Sequence, residues 1–162
     1  MNEKRPPSRI VGGSGTEADP YRVRNDILRA CYMIKGQGYD YEPANIAQAR
    51  RLVEECDLEP DRREYWTTRI DTLEYQSRGE RTCYLVRRHL ETLRELDDLR
   101  GKNVREQLVK NKQLKAARFL REAHEAFQLF LAFTEAHPEL VNRGRDARYF
   151  RSPDELLASQ QR

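Results

Sequence analysis

Large aliphatic and aromatic side chains are scarce in this sequence. Leu, Ile, Val and Phe make up 34 of 162 residues, close to the composition below which chains stop folding on their own. A large, multi-layered core is therefore excluded. No uninterrupted apolar run exceeds the five residues of Leu129 to Phe133, where a membrane span needs about 20. Cysteine is limited to Cys31, Cys56 and Cys83, with no CxxC pair, so neither a zinc knuckle nor a disulfide framework is indicated. No Asn-x-Ser/Thr acceptor occurs, and the charged stretch Met1 to Arg9 is followed by no apolar segment of the kind a secretory signal requires. These absences predict a reducing, cytoplasmic setting without membrane contact.

β-Strand signals are also nearly missing. Ile and Val total 12 against 30 Leu and Ala, and no alternating run persists. The apolar positions that are present recur at helical spacing. Asp19-Pro20 reads as a helix start, with Val23, Ile27, Ala30, Cys31 and Ile34 on one face and Gly36 and Gly38 at the end. A second helix opens at Pro43 and carries Ile46, Ala49, Leu52, Val53 and Cys56. A third opens at Pro60 and continues to about 100, with a possible bend at Gly79, since an interior glycine costs about 1 kcal/mol relative to alanine. Gly101 reads as a C-terminal cap. A fourth helix runs from about Asn103 to Ala136, ahead of Pro138. Ser152-Pro153-Asp154-Glu155 is a capping box that opens a short last helix.

The expected fold is therefore all-α: a long antiparallel helical hairpin (about 60–136) with coiled-coil character, two shorter N-terminal helices and a short C-terminal helix. The expected organisation is a flexible polar arm over 1–18, a helical domain over 19–137, and a basic tail with a short helix over 138–162. Across the hairpin, Trp66, Ile70, Leu73, Val86, Leu90 and Leu93 are expected to face Leu120, Ala123, Phe127 and Phe130. Helices of such unequal length form no repeat.

Catalytic signatures fail on inspection. Ile10-Val11-Gly12-Gly13 has the letters of an activated protease N-terminus, but no Gly-Asp-Ser-Gly segment follows. Gly12-Gly13-Ser14-Gly15 lacks the preceding strand and the lysine of a phosphate loop. His124-Glu125 begins like a zinc-protease helix, yet the second histidine would fall on Gln128. With only His89, His124 and His137 present, no metal or other cofactor is expected, and no catalytic residue stands out. The chain is read as non-enzymatic.

Charge distribution is more informative. The chain as a whole carries 30 basic and 27 acidic residues, but they are segregated. Arg100, Lys102, Arg105, Lys110, Lys112, Lys115, Arg118 and Arg121 share 100–121 with one acid, Glu106, whereas 54–74 holds eight acids and three arginines. Arg143, Arg145, Arg148 and Arg151 form a second basic stretch that includes Tyr149 and Phe150. Two functions follow from this pattern. One is an interaction or assembly subunit of a larger protein complex, binding partners or a second copy through long helices whose acidic and basic segments set register. The alternative is a small nucleic-acid-binding accessory protein, in which the twelve basic residues meet phosphates and the tail aromatics stack on bases. The segment 46–52, with Arg50 and Arg51, also has the length of a recognition helix.

Overall fold

The computed structural model describes residues 10–14, 16–19, 22–35 and 43–160. Two short strands, β1 (Ile10–Gly12) and β2 (Arg22–Val23), precede the helices α1 (Arg24–Lys35), α2 (Pro43–Glu55), α3 (Pro60–Leu99), α4 (Glu106–Ala136) and α5 (Pro153–Ser159). Single 3-10 turns at Pro138–Leu140 and Ala147–Phe150 connect α4 to α5. The all-α hairpin expected from spacing is present.

Its N-terminal margin differs in detail. Val23 does not join the first helical face but pairs with Ile10 in an antiparallel ladder that also joins Gly12 to Arg22. The Ser14 backbone N–H donates to the Asp19 carbonyl oxygen at 3.2 Å and to its carboxylate at 3.0 Å, closing the intervening loop. Segments of two and three residues are too short to show alternation, so only β-branching at Ile10, Val11 and Val23 hinted at them. The rest of the expected arm, Pro20, and the turn with Gly36 and Gly38 lie outside the described residues.

The described residues form two compact units, one ending at Glu74 and the other beginning at Tyr75, where the sequence suggested one helical domain over 19–137. In the first unit, Ile27, Cys31 and Ile34 of α1, Ile46, Ala49 and Val53 of α2, and Trp66, Ile70 and Leu73 of α3 bury one another. This corrects the expectation that Trp66, Ile70 and Leu73 face α4. At 40 residues, α3 is about 60 Å long, and its first turns are covered by the two short helices. Arg63 finishes α2. Its guanidinium donates to the carbonyl oxygens of Val53 at 2.7 Å and Cys56 at 2.9 Å, groups that a helix C-terminus leaves without intrahelical donors.

In the second unit, α4 returns along α3 after the turn at Gly101, whose φ of +84° is a conformation that suits glycine. The turn begins α4 at Glu106 rather than at 103. Leu85 and Val86 of α3 pack with Ala123 of α4, and Leu156 and Leu157 of α5 lie against them. His89 Nδ1–H donates to the Ala116 carbonyl oxygen at 2.7 Å, tying the two long helices together. Nearer Tyr75, a second cluster joins Tyr75, Phe130, Phe133 and Tyr149. Leu93, expected in the core, is 39% exposed. In α5 the Ser152 hydroxyl accepts from the Glu155 backbone N–H at 3.2 Å, the N-cap contact that the sequence announced.

The helix runs unbroken through Gly79, which is buried. Tyr149 lies against it so closely that a Cβ at Gly79 would stand 2.5 Å from Tyr149 Cγ. Glycine here allows a ring to approach the helix backbone, and makes no hinge.

Candidate interaction surface

The eight basic residues of 100–121 fall into three groups. Arg100, Lys102 and Arg105 sit at the exposed turn between α3 and α4, with Arg100 paired to Asp97 at 3.1 Å. Lys112 is drawn to the α3 side, where it binds Glu95. The Lys112 ammonium, first as a hydrogen-bond donor and then as a charge, holds the Glu95 carboxyl below its usual value. The remaining four, Lys110, Lys115, Arg118 and Arg121, are exposed on α4. Lys110 pairs with Glu106 at 3.1 Å and Arg118 with Glu122 at 3.7 Å. Lys115 and Arg118 also lie 5.9 and 5.7 Å from the centre of the Phe119 ring, which Arg88 of α3 approaches at 5.5 Å. At about 100° per residue, these positions do not form one basic stripe.

The tail arginines are mostly engaged within their own unit. Arg145 grips Asp146 with two hydrogen bonds of 3.0 Å, and that pairing lowers the Asp146 carboxyl from its ordinary value although burial opposes it. Arg148 binds Glu80, which also accepts from the Tyr149 hydroxyl at 2.8 Å. Arg143 stands 4.5 Å from the centre of the Phe150 ring, and Arg151 is exposed. The rings that the sequence suggested for base stacking are both packed inward. Tyr149 is buried, and Phe150 lies 5.2 Å from Phe130, centre to centre.

Arg50, on the segment with recognition-helix length, is bound on two sides. It meets Asp71 at 2.7 Å and Glu74 at 2.6 Å, holding α2 to α3 within the first unit. Burial alone would lower its pKa, but the two carboxylates more than offset this and raise it. Part of the acidic segment 54–74 is thus consumed internally.

No group of three or more His, Cys, Asp or Glu side chains among the described residues could hold a metal ion. His124 lies 3.8 Å from Asp154, and His137 stacks on Phe133 with ring centres 4.5 Å apart. Burial pushes the Cys31 and Cys83 thiols up, away from the thiolate form that cysteine reactivity requires. Among the described residues, no helix is long and apolar enough to cross a membrane.

No family model, curated protein or solved structure matches this chain. Its functional surface must therefore be read from its own side chains.

Three surface features remain. A recess of about 360 Å³ lies between α1 and α2, lined by Ala30, Met33 and Leu52 with Arg29, Asn45 and Gln48. A second, of about 370 Å³, lies between α3 and α5, lined by Val86, Leu90 and Leu156 with Arg87, Glu91 and Arg94. The third is the solvent face of α4. There Leu114 is 70% and Leu129 59% exposed, although each is a residue type usually buried. Sequence spacing gives Leu114 and Leu129 no place: Leu129 lies in a run of five apolar residues, and membership of a run does not say which way a side chain faces. The helical phase set by Ala123, Phe127 and Phe130, all buried, turns Leu129 the other way.

Proposed function

We propose that this protein is a non-enzymatic interaction subunit that contacts a protein partner through the outer face of its helical hairpin. The observation that carries this reading is the placement of Leu114 and Leu129 in solvent, on the side of α4 turned away from the buried Ala123, Phe127 and Phe130. Charged neighbours, Arg118, Arg121, Glu122 and Glu125, lie between them in sequence. An apolar pair surrounded by both signs of charge suits a protein surface, where apolar contacts supply affinity and charges set register. A polyphosphate backbone would gain nothing from the leucines and would be repelled by the acids.

Size-exclusion chromatography of native extract tests the proposal. The wild-type chain should elute in an assembly well above its own 19.2 kDa, and a Leu114→Asp/Leu129→Asp variant with an unchanged melting curve should leave that assembly. Nuclease treatment should not change the wild-type position. Elution of the wild-type chain at its own mass, even from extract concentrated until the chain exceeds about 100 µM, would overturn the proposal, as would a nuclease-sensitive assembly that the variant still joins.

A further inference from the structure

The solvent face of α4 is complementary to itself, and we infer that its partner is a second copy of this chain, bound antiparallel along α4. This rests on the reading above that this face is a contact surface, and it specifies what covers it. At about 100° per residue, Leu114, Arg118, Arg121, Glu122, Glu125 and Leu129 fall within an arc of about 100°. The buried Ala123, Phe127 and Phe130 occupy the opposite side. The charges and leucines are arranged symmetrically about the midpoint between Arg121 and Glu122.

If a second α4 lies antiparallel with that midpoint on its two-fold axis, Arg118 meets Glu125 of the other copy near the centre of the face, while Arg121 and Glu122, about 100° apart, fall on its two flanks. Leu114 then meets Leu129 at both ends. Each contact occurs twice, as an isologous interface requires. The match needs no adjustment along the axis, because both copies separate their leucines by the same rise of about 22 Å. A parallel, in-register pairing would instead set Arg118 against its own copy and Glu125 likewise at the centre of the face, a like-charge arrangement that opposes association.

The state of these side chains in the single chain fits this role. Among the described residues, Leu114 and Leu129 are the two most exposed large hydrophobic side chains. Arg121 and Glu125 are exposed and make no ion pair with any described residue. Arg118 reaches Glu122 only at 3.7 Å, a contact loose enough to be exchanged for one across the axis. Four leucines and two Arg118–Glu125 pairs make a small interface, so the dimer should be weak and sensitive to salt.

Sedimentation equilibrium of the purified full chain, from about 10 µM to about 1 mM at low salt, tests the inference. Weight-average mass should rise from 19.2 kDa toward twice that value, and added salt should reverse the rise. Arg118→Glu alone and Glu125→Arg alone should each weaken the dimer by at least about fivefold, because the symmetry counts every like-charge contact twice. The double variant Arg118→Glu/Glu125→Arg restores opposite charges only in the antiparallel register, and should return to within about threefold of wild type. All these positions are solvent-facing, and melting curves of the variants confirm that they fold. A wild-type chain that stays monomeric over the whole range would overturn the inference, as would a dimer that the double variant fails to restore. Either result in purified protein leaves the extract experiment free to succeed with a different partner, so the two readings fail separately.

Discussion

The ring of Tyr149 occupies the space that a side chain at Gly79 would fill, with Tyr149 Cγ 2.5 Å and Cδ2 2.6 Å from where a Cβ would stand. Real Cβ contacts are never so short, and Tyr149 cannot easily withdraw. Its ring packs edge-on to Tyr75 and Phe130, with centres 6.0 Å away in each case, and its hydroxyl is held by Glu80.

Gly79→Ala therefore sets two effects of opposite sign against each other. Alanine favours the helix by about 1 kcal/mol, whereas forcing a methyl group into a packed contact costs about 1–3 kcal/mol. The ring is fixed on several sides, so the clash should prevail and the melting temperature should fall. Thermal denaturation of Gly79→Ala, Tyr149→Ala and the double variant checks this. The double variant should be more stable than the sum of the single changes implies, because removal of the ring removes the clash. A Gly79→Ala protein more stable than wild type would mean that propensity governs this site.

Tyr75 links the same cluster to Asp146. Its hydroxyl donates to the Asp146 carboxylate at 2.9 Å. Burial first, then the neighbouring carboxylate, pushes its pKa up to about 12 from 10.0. The folded state thus binds this proton more tightly than the unfolded state. Stability is retained in full below about pH 10 and is lost as pH rises from about 10 to 12, amounting to about 2–3 kcal/mol for a fully buried group. Tyr75→Phe should flatten that alkaline fall in denaturant titrations while lowering stability near neutrality, since Asp146 loses a donor. Asp146 acts at the other end of the scale. Its lowered pKa, due first to Arg145, supplies stability above its unfolded value that disappears as pH falls through the folded one. Asp146→Asn should remove that acid-side contribution. Identical alkaline curves for Tyr75→Phe and wild type would contradict the burial of this proton.

Helix positions, the Gly101 turn and the Ser152 cap were legible because each depends on neighbours within a few residues. Periodicity sets phase, glycine supplies the positive φ, and the Ser152 hydroxyl reaches only to Glu155. What spacing could not assign was the partner of each apolar stripe. Trp66 and Val86 belong to one continuous helix, yet the first packs with α1 and α2 and the second with Ala123. That division depends on which helices are short. The glycine at 79 was visible, but its reason lies 70 residues away in Tyr149. Likewise, a basic count over 143–151 could not reveal that Asp146 and Glu80 bind two of the four arginines.

Phe127 and Leu129 are two residues apart and should respond differently to truncation. Phe127 is 8% exposed and Leu129 59%. Removing a buried phenylalanine side chain costs about 3–5 kcal/mol, a large part of the roughly 5–15 kcal/mol that holds a domain folded. Phe127→Ala should markedly lower the melting temperature. Leu129→Ala, measured dilute enough to be monomeric, should change stability by less than about 0.5 kcal/mol. Equal losses would mean that the phase of α4 is wrong.

The basic segment supplies the sharpest test between protein and nucleic-acid partners. If Lys110, Lys112, Lys115, Arg118 and Arg121 all touched phosphates, log affinity would fall with log salt at a slope of about −3.5 to −4.5, from about −0.7 or −0.9 for each neutralised phosphate. Own-chain ion pairs do not by themselves forbid this, because exposed pairs contribute only about 0–1 kcal/mol and exchange readily with phosphate. Geometry is the stronger objection. Lys112 lies on the α3 side of the helix, away from Lys110 and Arg121, Arg118 and Arg121 share their surface with Glu122 and Glu125, and the tail rings are packed against Phe130. We therefore expect no retention of single- or double-stranded probes at about 150 mM salt, and any binding at lower salt should have a slope much shallower than −3.5. Charge reversal at Arg118 and Arg121 should then disturb assembly while leaving probe binding unchanged. A steep slope that loses about one unit for each cation reversed would instead identify phosphate as the partner of this helix.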